Sequence, residues 1–307
     1  MRRRSATSIL IAAGAVSLLR AAAGDFTLRS HVRLVVLDVA VRDRRGSPVA
    51  GLESTDFSVT ENGKPQPITV FGREDLPVTM GILVDESYSM KPNRAGVLAA
   101  AEAFIKASNP RDEVFVLNFN DRVNPGLPGA LLFSDNPAVL GSALRRGVPE
   151  GRTALYDAVA AGLTRLKLGA RQRTVLVLIS DGGDNASRLK RRDILDMTDA
   201  SAATIHAIGL YDAADPERNT GFLREIAGIS GGQAYFPSNP AELLQACDRI
   251  AKDIRSRYTV GYVPRVENGP PLRRIRVRVK ATALGKLTVL ARRTFVYDDA
   301  LPDTPLR

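Results

Sequence analysis

Val78 to Val84 form a nearly continuous apolar run that ends at an acid, Asp85. A strand exposed on one face alternates apolar and polar residues, whereas an unbroken run suits a strand covered on both faces, as in a parallel sheet. Such a strand needs helices above and below, and the flanking chain supplies them. Ala95–Ala107 reads as a helix with Val97, Leu98, Ala101, Phe104 and Ile105 on one side. Thr153–Leu168 is a second, with Leu155, Val159, Leu163 and Leu166 along one face. Segments 188–202, 220–227 and 240–254 read as further helices, and 114–119, 175–179, 204–208 and 233–236 as further strands. Strand and helix thus alternate across 76–254, which predicts an α/β fold built on a doubly wound, mostly parallel sheet. Ligands in such sheets bind beyond the carboxyl ends of the strands. Asp85 and Asp181 are each the first acid after an apolar strand, so both are expected at that edge.

The two ends of the chain are different in character. Segment 32–42 and the short stretches 49–52 and 57–60 read as strands. Glu61-Asn62-Gly63-Lys64 is a hairpin signal, because Asn-Gly supplies the positive φ angles of a tight turn. Ile68–Phe71 is expected to be the returning strand. After residue 256 the helices stop, and 258–263, 274–279, 286–291 and 294–297 read as strands. Arg274 to Lys280 alternates strictly, which directs Ile275, Val277 and Val279 to a core and the cations to solvent. The same row could instead be a basic strip for nucleic acid or an anionic glycan, although no aromatic residue interleaves. Either β-rich end alone would leave exposed edges, so the two are expected to pair into one small β-sandwich.

The boundaries that follow are 1–23 for an export signal, 24–74 for the N-terminal β-rich segment, 75–255 for the α/β domain, 256–298 for the C-terminal β-rich segment and 299–307 for a disordered tail. The export signal rests on Arg2–Arg4, the apolar stretch Ile9–Leu19 and the small residues Ala21-Ala22-Ala23. It places the mature protein in the periplasm or outside the cell, without an integral membrane segment. The net charge of +10 includes four arginines that precede Gly24, and the other basic residues are mostly dispersed. With no Trp and 6% aromatic residues, a stacking platform for sugars or bases is not indicated. Cys247 is the sole cysteine, so no intramolecular disulfide and no thiolate zinc cluster can form. Its apolar neighbours suggest a core thiol.

Chemistry concentrates in three loops. Asp85-Glu86-Ser87-Tyr88-Ser89-Met90 presents Asp85, Ser87 and Ser89 oxygens from one short segment, the donor type a hard cation prefers. Ser180-Asp181-Gly182-Gly183 ends another strand, and its paired glycines let the backbone turn sharply. Gly151-Arg152-Thr153 brings Thr153 to a helix start. Asp184 and Glu86 lie nearby, with capping or solvated roles expected.

In the order D-x-S-x-S, then Thr, then Asp after a strand, these residues resemble the metal-ion-dependent adhesion site of the von Willebrand factor type A family. The resemblance matches all five positions: Asp85, Ser87, Ser89, Thr153 and Asp181. The flanking segments resemble a bacterial subgroup abundant in acidobacteria. There "VxDxxGxPVxGLxxxDFxVxEdGkPQxI" precedes the domain, as Val41 through Ile68 do here, and "YxxGYxP … RxIxVxV" follows it, as Tyr258 through Val279 do. Tyr88 stands where many members have Gly. It gives the Ser-Tyr-Ser-Met sequence of the integrin β-subunit version, but Lys91-Pro92-Asn93 replaces the paired acids that hold a second metal there. The resemblance implies one Mg²⁺, with Mn²⁺ or Ca²⁺ possible. It also implies a partner protein presenting Asp or Glu to the ion, and a binding or adhesion module rather than an enzyme. No nucleic-acid partner is expected. Alternative readings are a scaffold subunit of a cell-envelope assembly and a metal-dependent hydrolase. The hydrolase lacks support, since His31 and His206 have no catalytic spacing and no phosphate loop or nucleophile elbow occurs.

Overall fold

A computed structural model describes residues 34–210, 219–264, 271–280 and 285–296. The expected export signal and tail lie outside the described residues. The N-terminal elements are β1 (Val35–Arg42), β2 (Phe57–Glu61), β3 (Lys64–Gln66) and β4 (Val70–Gly72). The middle of the chain holds β5 (Val78–Asp85), α1 (Arg94–Lys106), β6 (Glu113–Phe119), β7 (Val123–Pro125), α2 (Pro137–Arg145), α3 (Leu155–Leu166), β8 (Arg173–Ser180), α4 (Arg191–Ala200), β9 (Thr204–Gly209), α5 (Thr220–Ser230), β10 (Ala234–Tyr235) and α6 (Pro240–Arg255). The chain continues through β11 (Tyr258–Tyr262), β12 (Leu272–Val279), β13 (Thr288–Leu290) and β14 (Thr294–Val296).

The central sheet has six strands in the order β10-β9-β8-β5-β6-β7. Its neighbours run parallel except at one edge, where β7 is antiparallel to β6. All eight residues of β5 are buried, as an unalternating run requires. On the helical side, α1 packs against α2 and α6, while α4 packs against α3 and α5. Both groups share one hydrophobic core with the sheet. Two elements, β7 and α2, go beyond the sequence reading. α2 is nine residues long and owes its start to Asn136, whose Oδ1 accepts the Ala138 N–H at 2.9 Å. A helix that short shows little periodicity. Among the described residues no helix is long and apolar enough to cross a membrane.

The chain's two ends do form a pair of antiparallel sheets, β13-β1-β11-β4 and β14-β12-β2-β3. N-terminal β1 pairs with C-terminal β11, and β2 with β12, so each sheet is built from both ends. Their facing side chains make a second core around Leu37, Val39, Phe57, Val59, Tyr258, Val260 and Tyr262. Phe57 stacks at a tilt against Phe71 and Tyr258, with ring centroids 5.2 and 5.1 Å apart. The hairpin turn sits at Asn62-Gly63, with φ of 48° and 83°. Its returning strand is Lys64–Gln66, however, not Ile68–Phe71. The chain then crosses over, and β4 pairs with β11 in the other sheet. Residues 49–52 form no strand. Only an isolated bridge joins Pro48 to Arg42, because Asp43 closes a turn by accepting the Arg45 and Ser47 N–H groups.

Ions hold the sandwich to the α/β layer. Asp253 of α6 is buried and accepts from Arg42 of β1 at 2.7 and 3.2 Å and from Arg257 at 2.5 and 3.0 Å. Arg42 also bonds Tyr235 Oη at 3.1 Å and the Gln233 side chain. Arg173 at the start of β8 pairs with Asp38 of β1 at 2.9 Å and donates to Thr259 Oγ1 at 2.6 Å. Burial opposes a charge on Asp253, but Arg257, His206 and Arg42 outweigh it and hold the carboxyl well below the usual range. His206 of β9 completes the cluster, with Nε2 3.4 Å from Asp253 Oδ2. It is packed, as a strand histidine should be, yet neither ring nitrogen has a hydrogen-bond partner. Burial pulls its pKa down to about 3, with Arg257 and Arg42 opposing the attraction of Asp253.

Replacing Asp253 by Ala leaves two buried guanidinium groups without their carboxylate and should cost about 3–5 kcal/mol in urea unfolding. Asp196→Ala at the exposed Arg192–Asp196 pair should leave the midpoint nearly unchanged. His206 carries its own pH signature. The unfolded chain protonates it near pH 6.5, while the folded protein keeps it neutral down to about pH 3. Its contribution is therefore complete above pH 6.5 and is lost as pH falls from there to about 3. The stability of wild type relative to His206→Leu should drop across that window by up to about 1.4 kcal/mol per pH unit. A difference independent of pH contradicts this account.

Candidate functional site

The carboxyl edge of the central sheet is where β5 and β8 release their chains into loops. Asp85 is the last residue of β5, and Ser180 ends β8 beside it. Asp85 Oδ1 accepts the Ser87 N–H at 2.9 Å, which folds the loop back over the strand end. A 3₁₀ helix, Tyr88–Asn93, follows at once, so Ser89 lies in its first turn. Ser87 Oγ and Ser89 Oγ are 3.1 Å apart, and the Ser89 hydroxyl donates to Asp181 Oδ2 at 2.5 Å. Asp181 Oδ1 accepts the Gly183 N–H at 2.9 Å. Gly182 between them has φ of 87°, and a Cβ there would lie 2.7 Å from the Asn219 carbonyl oxygen. Only glycine fits that turn without strain.

Four of the five expected residues thus form one connected chain of contacts: Asp85, Ser87, Ser89 and Asp181. Thr153 joins them through backbone. Its N–H donates to Asn185 Oδ1 at 2.8 Å, its carbonyl accepts the Asn185 and Ala186 N–H groups, and Tyr88 N–H reaches the Gly151 carbonyl at 3.2 Å. Among the described residues no hydrogen bond links the Thr153 side chain to the other four. Asp85, Ser87, Thr153 and Asp181 are all buried. Tyr88 is the opposite, 69% exposed at the loop surface with Lys91 Nζ 5.8 Å from its ring centre.

Two participants were not singled out in the sequence, and a third, Glu86, has a different role from the one expected. Ser180 Oγ donates to Asp85 Oδ2 at 2.6 Å and accepts the Gly182 N–H at 3.0 Å, so it fixes both acid loops. Its position just before Asp181 was the available signal. Asn185 pins Thr153, a contact no local pattern reveals. Glu86 is not solvated but buried, with Arg94 Nε at 2.8 Å from Oε2 and no partner for Oε1. Arg94 also donates to the Gly147 carbonyl at 2.6 Å, tying the first acid loop to the segment before Thr153. Asp184 has the capping role expected of it: Oδ1 accepts the Tyr156 N–H in the first turn of α3.

The electrostatics are lopsided. Burial and the neighbouring Asp181 charge push the Asp85 carboxyl up to about 7, and donors from Ser180 and Ser87 only partly offset them. No ion pair to Asp85 or Asp181 occurs among the described residues. The oxygens available are two carboxylates and three hydroxyls, a set suited to a hard cation. No cluster of three or more His, Cys, Asp or Glu side chains is placed to hold a metal among the described residues, so any ion here depends on the hydroxyls. Cys247, buried in α6, is held protonated by burial, with its pKa pushed up to about 12, and is chemically inert.

A folded-state pKa raised on a carboxyl means stability is lost as pH rises through that value. Above pH 7, in chelator, charged Asp85 therefore destabilises the fold. Asp85→Asn removes that charge while keeping its shape. At pH 8 in EDTA the variant should resist urea better than wild type, by on the order of 1–2 kcal/mol. An equal or lower midpoint would show that the carboxylate is satisfied without a cation.

Comparison with known proteins agrees with this architecture. Residues 80–183 match the family model described as von Willebrand factor type A domain. Among solved structures, a von Willebrand factor type A protein from Catenulispora acidiphila superposes with a TM-score of 0.52 at 14% identity, over 80% of this chain and 76% of that one. The von Willebrand factor domain of the type V pili tip protein Mfa5 from Porphyromonas gingivalis gives 0.49 at 14% identity, over 64% and 99%. Proximal thread matrix protein 1 from the mussel byssus, solved with a zinc-occupied MIDAS motif, gives 0.48 at 15% identity, over 60% and 49%. No curated protein sequence matches the chain. At such identities the structural likeness is one of fold. The matched segment begins in β5 and ends just after β8.

Proposed function

We propose that Asp85, Ser87, Ser89, Thr153 and Asp181 hold a single divalent cation, and that the protein uses it to capture an acidic side chain of a partner protein. Mg²⁺ is the preferred ion, with Mn²⁺ or Ca²⁺ as substitutes. One observation carries the reading: two buried carboxylates converge at the sheet edge with no basic side chain to neutralise them. Buried charges are ordinarily paired or coordinated to metal, and here only the second option has its donors in place. Ser87, Ser89 and Thr153 contribute neutral oxygens, so a bound ion would keep enough positive charge to accept a carboxylate from outside. Tyr88, exposed beside the site, offers that partner an apolar surface.

Domains of the von Willebrand factor type A kind act in general as non-catalytic binding modules, and the site fits that use. The one described histidine, His206, sits in the ion cluster beneath the sandwich and not at this site. An exported location, periplasmic or secreted, is part of the proposal and rests on the pattern of residues 1–23.

Titration calorimetry on the full chain should show Mg²⁺ or Mn²⁺ binding that Ser87→Ala combined with Ser89→Ala abolishes. Millimolar Mg²⁺ should also raise the urea midpoint of wild type and leave Asp85→Asn unmoved. Absence of binding at millimolar metal would remove the proposal. Capture of envelope proteins on immobilised wild type, with and without EDTA, then identifies the partner by what is lost on chelation.

A further inference from the structure

The outer face of the C-terminal sheet carries a row of cations that are not ion-paired among the described residues. Arg274, Arg276, Arg278 and Lys280 are exposed, while Arg273, Ile275, Val277 and Val279 alternate toward the sandwich core. Arg273 is paired inside with Glu61. None of the four outward cations makes a side-chain hydrogen bond or ion pair among the described residues. Six residue steps, from Arg274 to Lys280, at a strand rise of about 3.3 Å give a row about 20 Å long. Arg276 lies opposite Thr60 and Arg278 opposite Ser58 in the β2–β12 register, so hydroxyls stand beside the guanidinium groups on the same face. The three arginines, with Thr60 and Asn62, border an open cleft of about 1230 Å³.

Like charges spaced two residues apart on one strand repel, and none of the three arginines is ion-paired among the described residues. From this charge complementarity we propose that the strip binds an anionic polysaccharide, a chain bearing repeated carboxylate or sulfate groups. Guanidinium forks donate paired hydrogen bonds to such groups, and the flanking hydroxyls suit a ligand with hydroxyls of its own. The cations lie on the face of the sheet. A peptide adding by strand pairing would take a strand edge rather than this face. Single-stranded nucleic acid would find no aromatic ring to stack on. The recognition is ionic and independent of the metal site.

The test uses the full chain in EDTA at about 150 mM salt, so that no carboxylate–metal contact contributes, on immobilised alginate and dextran sulfate. Wild type should be retained on at least one of them. The triple variant Arg274→Gln, Arg276→Gln, Arg278→Gln should bind at least tenfold more weakly, with an unchanged melting temperature. A control triple, Arg111→Gln, Arg146→Gln, Arg192→Gln, lowers the net charge equally at distant exposed positions and should bind as wild type does. If the first triple fails to fold, Arg276→Gln alone should still weaken binding at least twofold. Equal losses in both triples would reduce the effect to net charge and overturn the proposal. So would no retention of wild type, or tighter binding to duplex DNA or polyglutamate than to either polysaccharide.

Discussion

A strand that buries eight consecutive residues must be covered on both faces, and most of this molecule answers that requirement. β5 draws β6 and β8 alongside it and helices above and below, and the core is continuous through all of them. The same burial delivers Asp85 to the sheet edge with its carboxyl shielded from water. Ser180 arrives at the end of the neighbouring strand, one hydrogen bond away. The candidate site is therefore a by-product of how the sheet is packed: its two acids mark the places where two buried strands stop.

Two solutions to the problem of buried charge coexist in one chain. Under the sandwich, Asp253 is surrounded by Arg42, Arg257 and His206, and attraction overcomes desolvation. At the sheet edge, Asp85 faces another acid and only neutral donors, and desolvation prevails. The first arrangement is complete in itself and joins β1 of the sandwich to α6 of the α/β layer. The second is short of positive charge. That contrast separates a structural ion cluster from the site we propose for a cation.

The sandwich follows from the same economy of edges. Neither terminal segment could close a sheet alone, and β1 with β11 and β2 with β12 zip the two ends together. This encloses the α/β layer between segments that meet only in three dimensions. It also turns the alternating β12 outward on one side, which is why its arginines stand in a row.

The α/β class, the alternation of elements and the placement of Asp85 and Asp181 at strand ends were legible in the sequence because each rests on local rules. Apolar runs of strand length, helical periodicity and an acid at a strand end need no knowledge of distant neighbours. The crossover of β4 into the opposite sheet was not legible because its partner β11 is distant in the chain, while α2 is too short to show periodicity and the turn at Asp43 removes the strand at 49–52. Glu86 and His206 show the limit most clearly. One reads as solvated and is buried under Arg94, while the other packs beside Asp253 with neither ring nitrogen hydrogen-bonded. By itself the sequence determined which groups are available and at which strand ends they fall. Only the tertiary structure decided that Asp85 meets Asp181 without a cation while Asp253 meets two, because burial and charge are properties of what surrounds a residue.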